Sequence, residues 1–210
     1  GRIKGWLLSE NAKKEILSKI ETLADSCAGQ GKMLFAVGDG NHSLAAAKES
    51  AGLIATPEAR YALAELVNIH SDGVEFEPIY RVVFNVDAAN FIDELRRRFH
   101  GKQGRKIEFI SPDSRGAVYM QGLEADVLQG FIDEYISCHE GSYVDYIHGE
   151  ETVRALAAKK DTVGLVFSGM DKTELFDYVN ENGALPRKTF SIGHAADKRY
   201  YLEARIINRS

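Results

Sequence analysis

Six consecutive residues, Gly38, Asp39, Gly40, Asn41, His42 and Ser43, set an acid, an amide, an imidazole and a hydroxyl beside two glycines. Glycine lets the backbone come close to a ligand, and the side chains supply donors, acceptors and a base that titrates near neutrality. Apolar residues 33–37 precede the loop, and an alanine-rich helical pattern begins at Ser43. That order predicts a strand, a tight loop and a helix N-terminus. Amides at a helix start lack intrahelical partners and carry partial positive charge, so they attract phosphate or carboxylate. The loop reads as a phosphate or anion site, with Gly38, Gly40, Asn41 and Ser43 as the cradle. A plain strand-to-helix turn is the alternative, with Asp39 or Asn41 capping the helix and His42 partly buried. The spacing is not the dinucleotide fingerprint. Ser43 stands where a third small helix-packing residue belongs, and no acidic residue closes a strand about 20 positions later.

Two further stretches carry chemistry. Arg187 and Lys188 precede Thr189, Ser191 and His194. Arginine forks phosphate oxygens and lysine supplies a point charge, so this stretch could close over an anion; a polar surface loop is the alternative. His148 is followed by Glu150 and Glu151, which could bind a metal or could simply complement a helix start. Walker A, G-x-S-x-G and H-E-x-x-H patterns do not occur in the sequence, which argues against P-loop and conventional hydrolase mechanisms.

The elements that must position these residues follow from periodicity. Ser9 can cap a helix to about Cys27, with Ala12, Ile16, Ile20 and Leu23 on one face. Residues 3–8, 61–69, 78–84, 107–110, 117–121, 143–148, 163–167 and 200–207 read as strands. Helices are expected at 88–99 behind an Asp87 cap, at 127–138 and at 150–159, and a further one to about 182 opened by a capping box at Ser168 and Asp171. Residues 185–194 read as loop. Alternating helices and strands, with some direct strand-to-strand steps, predict an α+β (α/β-like) fold, a mixed sheet with flanking helices. Gly101 to Gly104 is the best linker, dividing a lobe 1–100 that carries the loop from a second α/β lobe 105–210, packed as one globular unit.

The chain has 210 residues, enough for one sound core or two small lobes. A net charge of -5 disfavours nucleic acid as a partner. No apolar run reaches the roughly 20 residues of a membrane span, so no membrane partner is expected. Cys27 and Cys138 lie far apart without zinc spacing; free thiols fit a cytoplasmic protein. A homo-oligomer is compatible with all of this. The absence of Met at the start suggests a fragment of something longer.

Four stretches in order, F-A-V-G-D-G-N-H-S-L-A-A-A-K, R-Y-A-L-A-E-L-V-N-I-H, F-E-P-I-Y-R-V-V-F and L-P-R-K-T-F-S-I-G-H, resemble an uncharacterised prokaryotic family, domain of unknown function 1015. The resemblance runs from about Gly5 to Ile207 and implies that the chain is the C-terminal part of a longer protein. The loop motif of that family, D-G-H-H-R in many members, in turn resembles the phosphate loop of the ParB/sulfiredoxin-like group, which includes a free-serine kinase. Asp39, Gly40 and His42 match that motif; Asn41 stands at its first histidine, and Ser43 replaces its arginine, removing a charge-assisted phosphate fork. The resemblance implies a nucleotide-dependent small-molecule kinase of the serine-kinase type, with Mg²⁺ and ATP or ADP as cofactors. In that role Asp39 would hold Mg²⁺, His42 would contact the transferring phosphoryl group or act as base, and Arg187 and Lys188 would close over the anion. The alternative is a non-catalytic switch or sensor ordered by a nucleotide or metabolite.

Overall fold

The computed structural model describes residues 4–28, 31, 33–38, 40–54, 56–194 and 206–207. Six strands form its sheet: β1 (Phe76–Phe84), β2 (Arg105–Ile110), β3 (Arg115–Met120), β4 (Tyr143–His148), β5 (Thr162–Phe167) and β6 (Phe190–Ile192). Their order is β3-β2-β5-β1-β4, and β6 pairs with the first residues of β1. Every recorded pairing is antiparallel. The helices are α1 (Glu10–Ala28), α2 (Asn41–Leu53), α3 (Ala88–Arg98), α4 (Glu124–Cys138), α5 (Glu150–Ala157) and α6 (Leu175–Asn182). The architecture is α+β, a sheet flanked by helices, as the alternation of patterns predicted, but the sheet expected to be mixed is antiparallel in every pairing among the described residues.

The core follows from two periods. In β1, Val83 faces α3 and α4 while its neighbour Val82 faces α5, the alternation of a strand with both faces covered. Central β5 is buried at all six residues, which matches a sequence that carries no polar side chain after Thr162. Leu128, Phe131, Ile132 and Tyr135 of α4 stand three or four apart and meet Phe91 and Leu95 of α3 over the sheet. Each such side chain contributes about 2 kcal/mol on burial. Asp87 caps α3 by accepting from the amides of Ala89 and Asn90 at 3.0 and 3.1 Å. Gly164 lets α5 sit directly on β5, since a Cβ there would lie 2.7 Å from Val153 Cγ1. Arg105 ties β2 to the turn before α6. It forks both carboxylate oxygens of Glu174 at 2.7 Å and also donates to Gly169 O at 2.9 Å and to buried Glu124 at 3.4 Å.

Several expected elements differ. Residues 33–37, expected as the strand entering the loop, belong to no strand, and residues 4–8 and 61–68 are likewise coil. Tyr61, Leu63, Leu66 and Val67 are half or more exposed instead of buried. The reason is physical: an apolar run becomes a strand only beside a free sheet edge, and these runs lie along none among the described residues. The capping box before α6 is Asp171 with Glu174, one turn later than expected; Ser168 Oγ instead donates to Glu124. Within residues 185–194, expected as loop, Phe190–Ile192 is a strand because it finds the start of β1. The strand expected at 200–207 lies outside the described residues except for 206 and 207. The helix expected from Ser9 is present as α1, yet neither α1 nor α2 buries a residue.

Candidate active site at the start of helix α2

Helix α2 begins at Asn41, with Gly40 as its N-cap at φ 147° and ψ 9°. A side chain is strained at that φ, so glycine is what allows the chain to turn into the helix here. Gly40 also has no side chain to offer the first-turn amides, and Leu44 N already closes the first helical bond onto Gly40 O at 2.9 Å. Asn41 is therefore the first helical residue and not the cap. Asn41, His42 and Ser43 are exposed on the first turn. Asp39 lies outside the described residues.

Gly38 brings the loop to the sheet. A Cβ at Gly38 would lie 3.0 Å from Ile192 Cδ1, so the absent side chain is what lets the loop approach β6. Two residues beyond Ile192 stands His194. Its Nδ1 pairs with Glu77, and its Nε2 lies 3.9 Å from Glu75 Oε2. Gly193 N donates to Glu75 O at 2.9 Å with φ 68°, the turn that carries the chain from β6 to His194. An imidazole bonded through one nitrogen to a carboxylate is held in a fixed orientation, and here the second nitrogen faces a carboxylate too. Of the sequence-predicted residues, Gly38 approaches Ile192, two residues before His194, while Gly40, Asn41, His42 and Ser43 lie exposed at the start of α2.

Arg187 and Lys188 are exposed on the turn that enters β6 from the other side, Lys188 at φ 61°. The two hydroxyls beside them do internal work: Thr189 Oγ1 donates to Pro186 O at 2.7 Å and Ser191 Oγ to Gly193 O at 3.2 Å. His148 ends β4 opposite Ile79. Glu150 behind it is engaged by Arg154 Nε at 2.8 Å, so that carboxylate serves the first turn of α5. Among the described residues no group of three or more His, Cys, Asp or Glu side chains is placed to hold a metal ion. Mg²⁺ carried on nucleotide phosphates needs only one or two protein carboxylates, and the carboxylate expected to supply it, Asp39, is not described.

Sequence reasoning missed two features. The Glu75 and Glu77 clamp on His194 was hidden because an acidic pair before a strand looks like a solvated turn; its period of two was the available signal. Arg81 was also missed. It is fully buried in the middle of β1, donates to Gln129 Oε1 at 2.9 Å and to Ile79 O, and lies 4.6 Å from the ring centroid of Tyr146. Its Nη2 has no partner. Burial lowers its pKa to about 10, against the smaller opposing effects of Tyr146 and Asp133.

With this geometry in hand, comparison with known proteins is informative. The family described as protein of unknown function, DUF1015, matches residues 4–199. The chain belongs to that family. No curated protein matches it. Among solved structures, a free serine kinase variant in complex with AMP is similar at a TM-score of 0.53 and 15% identity, over 84% of this chain and 80% of that one. The likeness extends the α+β assignment and shows a shared fold. No helix among the described residues of this family member is long and apolar enough to cross a membrane.

Proposed function

We propose that this chain binds a nucleotide or similar phosphate-bearing small molecule at the start of α2 and transfers a phosphoryl group to a small hydroxyl substrate. The observation that carries this reading is the glycine-capped helix start with Asn41, His42 and Ser43 exposed on it. First-turn amides and the helix dipole favour an anion there. The fold shared with a kinase solved in complex with AMP supports a nucleotide as that anion.

Phosphoryl transfer is mostly positioning and charge neutralisation. The amides of α2 would hold the phosphates, with His42 beside the transferring group. A substrate hydroxyl would attack the terminal phosphorus as the bond to the leaving nucleotide breaks. His194, oriented by Glu77, would take the hydroxyl proton; the approach of Gly38 to Ile192, two residues before it, supports this role. Arg187 and Lys188 supply cations at the far end of β6. Mg²⁺ would be held by Asp39 and the phosphates.

A second reading, a binding module without turnover, is favoured by Leu44 and Leu53, which are 43% and 82% exposed on α2 itself. A ligand at the start of that helix would then bias a partner surface. Titration with AMP, ADP, ATP and phosphate, with and without Mg²⁺, tests binding. Saturable binding lost in His42→Ala places the anion at the loop, and no binding to any of the four sinks the reading. Phosphorus NMR with ATP and a panel of hydroxyl metabolites then separates the two: a new phosphomonoester signal, lost in His194→Gln, identifies the enzyme, and binding without turnover identifies the module.

A further inference from the structure

Beside the loop, the structure contains a cleft of about 560 Å³ between α2 and the segment that follows the helical turn Glu58–Arg60. One wall is a single face of α2. Asn41, Leu44, Lys48 and Ala51 line it at steps of three and four, which places them in a row running roughly 15 Å from the first helical residue. Arg60 and Tyr61 form part of the opposite wall. The volume falls in the range of small-ligand sites, and the lining is mostly apolar with a few polar groups, as such sites are.

The charge of the cleft opposes that of the chain. The protein carries a net charge of -5, yet the charged residues lining the cleft, Lys48 and Arg60, are both cations. An anionic ligand is therefore favoured. Asn41 ties one end of the cleft to the amides at the start of α2. The remainder offers an aliphatic floor and Tyr61, whose side chain is 73% exposed. An aromatic ring binds the face of a planar base, and cations stack on it as well, whereas a short aliphatic anion would pair with the cations and leave the ring unused.

We infer that this cleft holds the sugar and base of a nucleoside phosphate whose phosphate lies at Gly40 to Ser43, so that the cleft on α2 is the determinant that selects a nucleotide over free phosphate. The inference rests on the phosphate reading of the loop given above. Ala51 and Lys48, which that reading does not use, are the residues that test it.

The experiment is calorimetric titration of the full chain with AMP, ribose 5-phosphate and inorganic phosphate, on the wild type and on Ala51→Phe and Lys48→Glu. Ala51→Phe fills the third turn of the cleft, and Lys48→Glu replaces a cation with an anion. Circular dichroism and thermal unfolding establish that each variant is folded. The expected result is that the wild type binds AMP at least tenfold more tightly than the other two ligands. Both variants then lose at least tenfold in AMP affinity while their affinity for inorganic phosphate stays within twofold. Should AMP bind no better than inorganic phosphate, or should a folded variant bind AMP as the wild type does, the cleft assignment is overturned while the phosphate reading stands. If the wild type binds none of the three, both fall together.

Discussion

Gly40→Ala separates the local geometry of the loop from the stability of the core. At φ 147° an L-residue is strained, at a cost of about 1–3 kcal/mol. Nothing lies within 4 Å of an added Cβ at this position, so the strain is conformational and not a clash. What opposes it is weak. Helix α2 has 13 residues and none is buried, and a helix of that length is marginal without packing. The cheapest relief is therefore to unwind the first turn and break the bond from Leu44 N to Gly40 O. A cost of 1–3 kcal/mol raises the local opening equilibrium about 5- to 150-fold. Hydrogen exchange should speed up by that factor in residues 41–45 with little change in β1 or β5. The melting temperature should move by less than about 2 °C, because the buried side chains sit on the sheet and α3, α4 and α5. Phosphate binding should fall with the opened turn. Unchanged exchange in α2 would refute the strained conformation at Gly40. A melting temperature lowered by more than about 5 °C would refute the claim that α2 is held apart from the core.

Other substitutions test the sheet. Arg81→Met removes a buried cation whose pKa, lowered by burial to about 10, implies about 3 kcal/mol against keeping the charge. It also removes the orphaned Nη2. Set against the lost bonds to Gln129 and Ile79 and the Tyr146 contact, the net stability change should lie within about 1 kcal/mol or be favourable; a loss above about 3 kcal/mol in urea unfolding would contradict this. The pH dependence has a definite sign. The folded pKa, about 10, lies below the unfolded one, so above about pH 10 the unfolded chain holds more protons, and the wild type should gain stability relative to Arg81→Met as pH rises beyond it. Gly164→Ala should cost about 1–3 kcal/mol, because its Cβ would meet Val153 Cγ1 at 2.7 Å and Ala157 Cβ at 3.0 Å. A melting curve unchanged by that substitution would mean that α5 is free to move off β5.

How much of this could be read from the sequence depends on whether the determining contact was local. Helix α3 was legible because Asp87 and the spacing of Phe91 and Leu95 lie within nine residues of one another. Buried β5 was legible as an unbroken apolar run. The loop at Gly38 to Ser43 was recognisable as a turn into a helix for the same reason. Its link to His194 was not, because it runs through Ile192 and the pairing of β6 with β1, across more than 100 residues with no local signal. Arg81 was illegible for another reason: a lone cation in a strand normally faces water, whereas here Gln129 of α4 and Tyr146 of β4 lie against it.

The segments that were misread share one property. Residues 33–37 and 61–69 have the composition of buried strands, and α1 has an amphipathic pattern, yet Phe35, Val37, Tyr61, Leu63, Leu66, Ile16 and Leu23 are all more than 40% exposed. Composition reports the solvent a side chain prefers, whereas a strand also requires a neighbour for its backbone. These apolar groups flank the start of α2 on the chain. The stretches that flank the proposed phosphate site along the chain are thus the ones where burial demanded by sequence and burial achieved in the fold disagree most. A ligand or partner that covers it would gain the apolar contacts the sheet does not provide. Occupancy at Gly40 to Ser43 should therefore be read out first in the exchange rates of α2 and residues 61–68, and only weakly in those of β5.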